Sequence, residues 1–248
     1  MTSQPAAEQS PPTDDPIAEV RSLLAAADRR LLGDTIAVDD TDWRASSLLP
    51  GWTRAHVATH IARHAEAFGR LANWARTGTT QQMYPGDRDA DIEAGAGRTG
   101  LEIQTDLDTT TGLLDAEFDA VAEAGAWDRI VRLRDGRDVR AEILPLGRLV
   151  EVVVHHLDLD IGLTVDAIDQ PTAEAALAWC SFRQEIRPEK YPRLALTTES
   201  GRSYDFGPQV QDSVITISGP ANRLLGWITR RSGSEGLDGP IPELPSFG

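Results

Sequence analysis

The chain has a single cysteine, Cys180, in 248 residues. No intrachain disulfide framework can be built from it, which fits a reducing compartment. No stretch approaches the roughly eighteen consecutive apolar residues that would span a bilayer. The opening MTSQPAAEQSPPTDDP lacks the basic start and apolar centre of a signal peptide, so the sequence reads as cytoplasmic. Positive charge is scarce: 24 Lys and Arg stand against 39 Asp and Glu, a formal charge of -15. Such a surface repels nucleic acid and anionic membranes, and no basic patch interleaved with aromatics relieves it. Neither nucleic acid nor membrane is therefore expected as a partner. With no heptad repeat or interface motif, a monomer is expected.

What is present is helical periodicity, then alternation. Residues 1–15, rich in Pro, Ser and Gln, read as a disordered tail. AEVRSLLAAADRRLLG carries a helical stripe through Val20, Leu23, Leu24, Ala27 and Leu31. Pro50 and Gly51 mark a turn, Thr53 is a plausible cap, and a helix is predicted from 54 to 76. A loop follows, becoming helical near Asp89, and a third helix is predicted over 101–124. RIVRLRDGRDVRAEILP reads as a loop with extended character. Leu146 to Asp160 is a candidate fourth helix, although its VVV run favours a strand. Beyond it the pattern changes: a helix in IDQPTAEAALAWCSFRQEIR, strands in YPRLALTTESGRSYDFG and QDSVITISG, and a helix in ANRLLGWITRRSG. The expectation is two domains, an all-α four-helix bundle over 16–164 and a small α+β domain over 165–248.

All five histidines fall in two short segments. In RAHVATHIARH, His56, His60 and His64 recur every fourth residue and share one helical face. In EVVVHHLDLDIG, Glu151 and His155 have the same spacing if the segment is helical. A Glu-x-x-x-His pair can aim both side chains at one point, and a histidine from a facing helix can complete a three-ligand site. Two imidazoles and a carboxylate suit zinc or another borderline divalent ion and leave a position open for chemistry. His56, His64 and His156 compete for these roles, and His156 points about 100° away from His155. Asp158 and Asp160 either orient a ligand or form a solvated helix end. The bland alternative is that the histidines merely cap, pair with acids or face water. Cys180, in the apolar ALAWCSF, reads as core packing rather than as a nucleophile.

LLPGWTRAHVATHIARHAEAFGRLANWARTG, MYPGDRDADIE, EVVVHHLDLD and VITISGPANRLLGWITRRSGSEG resemble the mycothiol-dependent maleylpyruvate isomerase family over residues 17–245. The resemblance implies a DinB-like bundle whose divalent metal, usually zinc, is held by His60, Glu151 and His155. It also implies a catalytic arginine before the Gly-rich turn of the second domain, a bidentate clamp for the carboxylates and developing enolate, matched by Arg231 with Arg230 as the neighbour that could take its place. Arg88, in MYPGDRD, is a candidate for anion or thiol-cofactor contact. The implied cofactors are a divalent metal and mycothiol, and the implied partner is a small electrophilic acid. The implied reaction is thiolate addition to the cis double bond of maleylpyruvate, rotation, and elimination to fumarylpyruvate. His64 and the SGP at 218–220 depart from the family pattern. A mycothiol S-transferase acting on another electrophile and a non-catalytic metal-binding regulatory module are the alternatives.

Overall fold

The computed structural model describes residues 15–184, 192–208 and 213–244. Residues 1–14 of the tail predicted over 1–15 and the end of the fifth long predicted helix lie outside them. The N-terminal part is a helical bundle, and the C-terminal part is a mixed α+β region.

In the bundle, α1 (Pro16–Thr35), α3 (Arg54–Thr77), α5 (Gly100–Glu123) and α6 (Leu144–Leu159) pack on one another. Two short helices, α2 (Asp40–Arg44) and α4 (Arg88–Ala96), bridge their ends. Asp15 caps α1, and its carboxylate accepts from the Ile17 and Ala18 amides. Thr53 caps α3 in a box in which His56 takes the usual Glu position, its Nδ1 bonded back to Thr53. Such a cap is worth about 1 kcal/mol. The stretch after α5, expected as a loop with extended character, is a two-stranded antiparallel hairpin, β1 (Ile130–Arg132) and β2 (Asp138–Arg140).

The valine run of α6 is helical. Val152, Val153 and Val154 are each at most 5% exposed. Burying a valine contributes about 1.5–3 kcal/mol, while its helix propensity costs at most about 0.7 kcal/mol, so burial decides the conformation. α6 runs antiparallel to α3. Arg54 of α3 donates to the Leu159 and Asp160 carbonyls at one end. Gly147 of α6 lies against Phe68 of α3 at the other, where a Cβ would sit 3.0 Å from the Phe68 ring.

The C-terminal region holds α7 (Gln170–Gln184), a three-stranded sheet and α8 (Ala221–Ile228). The sheet order is β4 (Ser203–Phe206), β3 (Leu194–Thr198), β5 (Ile215–Gly219), with β3 antiparallel to β4 and parallel to β5. Inward residues Leu194, Leu196, Phe206 and Ile217 meet Leu224, Leu225 and Ile228 of α8 in a core continuous with that of the bundle. Among the described residues no helix is long and apolar enough to cross a membrane.

A guanidinium is sealed inside the bundle. Arg148 of α6 is fully buried, donates to the Ile61 carbonyl at 2.7 Å, and lies 3.9 Å from Asp28 of α1. Burial pushes the Asp28 carboxyl up to about 6 despite the nearby Arg148. Between roughly pH 4 and 6 the folded protein holds a proton there that the unfolded chain has released. Stability contributed by this site therefore falls as pH rises through that window, by about 3 kcal/mol. Asp28→Asn is expected to remove that slope. Denaturant unfolding of both proteins across the window measures it, and parallel curves would contradict the assignment.

Candidate metal centre

The antiparallel register of α3 and α6 sets two helical turns face to face. His60 lies opposite His155, and His64 lies opposite Glu151. His60 Nε2 is 3.1 Å from Glu151 Oε2 and 3.0 Å from His155 Nε2, and the third edge, His155 Nε2 to Glu151 Oε2, is 3.3 Å. These three atoms form a near-equilateral triangle, the one such group of potential ligands among the described residues. A tetrahedral zinc with bonds of about 2.0–2.1 Å separates its ligand atoms by about 3.3 Å. The donor set and its spacing thus fit a divalent ion with one face left open.

His155 is held from behind. His155 Nδ1 donates to Asp158 Oδ2 at 2.9 Å, which leaves Nε2 facing the triangle. Asp158 is 1% exposed and is gripped by Arg231 through Nε at 3.0 Å and Nη2 at 2.7 Å. Burial works against the Asp158 charge, but the bonds from His155 and Arg231 prevail and hold its carboxyl below the usual range. Burial likewise opposes a charge on His155. Asp158 and Glu151 outweigh it and raise that imidazole above its ordinary value, so an ion would displace a proton there. Glu151 is held well below the usual carboxylate range; burial is overcome by His64, His155 and His60. Burial lowers His60 to about 4, keeping it neutral.

Arg88 reaches the centre from the start of α4. Its Nη2 lies 2.9 Å from His60 Nδ1. A guanidinium can only donate, so Nδ1 accepts and the neutral ring carries its proton on Nε2, the nitrogen facing Glu151 and His155. An ion on Nε2 requires the other tautomer, and Arg88 would have to leave Nδ1. Arg88 and Arg231 therefore act on the two histidines in opposite senses. Arg88 favours the proton-bearing face of His60, whereas Arg231, through Asp158, favours the ligating face of His155.

The remaining histidines sort by position. His64 is buried and lies 3.8 Å from Glu151 Oε1, outside the triangle, with the Phe68 ring tilted against it, centres 4.1 Å apart, and no partner for Nδ1. Burial lowers it to about 3. His56 completes the α3 cap and bonds Glu93. His156 turns away to Asp34 of α1, at 3.2 Å. Asp158 is buried behind His155, and Asp160 closes α6 in the left-handed conformation, φ 53°. Arg231 reaches the cluster through Asp158; its Nη1 donates to the Thr229 carbonyl. Arg230 donates instead to the Leu244 carbonyl. Cys180 is 1% exposed and burial pushes its thiol up to about 12, which removes it as a nucleophile. Sequence reasoning did not find the Arg88–His60 contact. Its signal was present only as a charged residue just after a turn, with nothing to say which way the loop folds.

Residues 24–160 match the sequence profile of the mycothiol maleylpyruvate isomerase N-terminal domain, more than half of the chain, and the protein belongs to that family. Its fold is similar to two crystal structures of a mycothiol-dependent maleylpyruvate isomerase, one of them of a histidine-to-alanine mutant. For each the TM-score is 0.80 and the identity 26%, over 94% of this chain and 98% of that one. No curated protein matches in sequence.

Proposed function

We propose that the protein is a metal- and mycothiol-dependent cis-trans isomerase that converts maleylpyruvate to fumarylpyruvate in the cytoplasm. It would work from a DinB-like four-helix bundle over 16–164 followed by an α+β domain over 165–248. The observation that carries this reading is the His60–Glu151–His155 triangle, in a chain that belongs to this family and resembles the isomerase over nearly its whole length. A zinc ion held by those residues would lower the pKa of a thiol brought to it, so that a thiolate forms near neutral pH.

The protein's own groups supply the rest. Glu151 contributes the negative charge that makes two neutral imidazoles an adequate site for a dication. Asp158 keeps the proton of His155 on Nδ1, and Arg231 keeps Asp158 ionised in a buried setting. Arg88, whose guanidinium touches His60, is placed to meet negative charge on the acid or on the enolate that would form from it. Trp52, whose ring centre is 5.8 Å from that of His60, covers one side and limits water there.

The test is a spectrophotometric assay of maleylpyruvate with catalytic mycothiol and zinc-loaded protein. Formation of the trans product without net loss of thiol is expected. Thiol consumed in step with another electrophile, with no isomerisation, would identify a transferase instead. No turnover of either kind would remove the enzymatic reading.

A further inference from the structure

A cavity of about 620 Å³ opens between the Thr80–Asp89 segment and the β1–β2 hairpin. Its walls include Trp74, Gln81, Tyr84, Arg88, Arg132 and Arg134. It is as large as a site for a small metabolite needs to be. It also adjoins the metal centre, because Arg88 is a wall of the cavity and touches His60 at once.

The charges in this cavity are unevenly matched. Arg132 is paired with Asp138 through two bonds, at 2.7 and 3.0 Å. Arg134 lies over the Tyr84 ring, 5.8 Å from its centre, and has no carboxylate partner among the described residues. Arg88 lies over the same ring at 5.7 Å. Two guanidinium groups thus share the Tyr84 ring. The carboxylates at the rim are already engaged: Asp87 accepts from the Asp89 and Ala90 amides to cap α4, and Asp89 pairs with Arg88 at 2.7 Å. The wall is anchored, since Arg70 donates to the Met83 carbonyl at 2.9 Å and the Arg134 amide rests on Met83 Sδ. Burial first, and the charge of Glu151 second, raise the Tyr84 phenol, so it remains a donor at neutral pH.

We propose that this cavity is the carboxylate subsite for a small dicarboxylate substrate, with Arg134 and Arg88 as its two cationic arms and Tyr84 as the ring both rest on. The proposal rests on the isomerase reading for why an acid comes to this centre. The physical argument for an anion is independent of it. A guanidinium on an anchored wall, stacked on an aromatic ring and left without a counter-charge, completes its hydrogen bonding with a planar oxyanion. Arg88, when it leaves His60 Nδ1, already faces the same space. One carboxylate would meet Arg134 and the other Arg88, so the acid spans from the outer cavity toward the triangle.

Succinate, which has no double bond to react, is the probe. Calorimetry with the zinc-loaded protein is expected to show one succinate per chain. Arg134→Gln is expected to weaken that binding ten- to hundredfold while leaving zinc content and melting temperature unchanged, and Arg134→Lys to restore part of it. Arg129→Gln, an equal loss of charge at an exposed site beside the hairpin, serves as control. In the isomerisation assay Arg134→Gln is expected to raise KM for the acid more than it lowers kcat. No succinate binding by wild type, or equal losses in Arg134→Gln and Arg129→Gln, would overturn the subsite. Arg134-dependent succinate binding in a protein that never isomerises maleylpyruvate would leave the subsite standing and sink the isomerase reading alone.

Discussion

Substituting His60, Glu151 or His155 by alanine is expected to abolish stoichiometric zinc and, with it, isomerase activity. Outer-sphere partners of a metal site change affinity by about 10- to 100-fold, so loss of a ligand should exceed about a hundredfold. The three side chains have interatomic edges of 3.0–3.3 Å, and none can be replaced by a neighbour without moving a helix. His64 supplies the contrast. It lies one turn from His60 on the same face, but its Nε2 approaches Glu151 Oε1 only to 3.8 Å. His64→Gln is expected to keep its zinc, with affinity changed less than about tenfold. Zinc content after dialysis and competition with a chelating dye measure both. Equal loss in the His60 and His64 variants would mean that the ligand set is wrong. Removing one ligand should also leave the fold in place, because the core is built from apolar side chains, aliphatic and aromatic, contributed by every long helix of the bundle.

The second large effect concerns the two arginines, whose replacement should shift zinc affinity in opposite directions. Arg231→Ala removes both bonds to Asp158, a carboxylate that is 1% exposed. A buried carboxylate without its cation costs about 3–5 kcal/mol of stability. It also strengthens the hold of His155 on a second proton, which competes with the ion. A loss of about 10- to 100-fold in zinc affinity is expected, steeper at low pH, where that proton is held more fully. Arg88→Leu removes the donor that stabilises the wrong tautomer of His60, and tighter zinc binding is expected even as turnover of the acid falls. Chelator competition on the folded variants separates affinity from stability. If both variants weakened zinc alike, the tautomer argument would fail.

Much of this centre was legible in the chain itself. The four-residue spacings of His60 with His64 and of Glu151 with His155 place each pair on one helical face, since a turn of helix takes 3.6 residues. Thr53 announced the start of α3. The uncertain segments were those where local preference and burial disagree. EVVVHHLDLDIG has the composition of a strand, and only its packing among α1, α3 and α7 makes the helix the cheaper answer. The hairpin at 130–140 carried too few apolar residues to be read as more than extended. The parallel pairing of β3 with β5 links segments far apart in sequence, and periodicity is silent on such pairing.

What the sequence by itself determined was therefore local: which side chains share a helical face, the impossibility of an intrachain disulfide with one cysteine, and a donor set suited to a divalent ion. The tertiary structure decided the rest. The register of α6 against α3, held by Arg148 on the Ile61 carbonyl and by Gly147 against Phe68, chose His60 over His56 and His64 as the partner of His155. The turn before α4 brought Arg88 onto His60, and α8 with the residues just after it brought Arg231 behind Asp158. The physical reason is that helical periodicity depends on neighbours along the chain, whereas register and second-sphere contacts depend on side-chain volumes and charges from segments that meet only in the folded core.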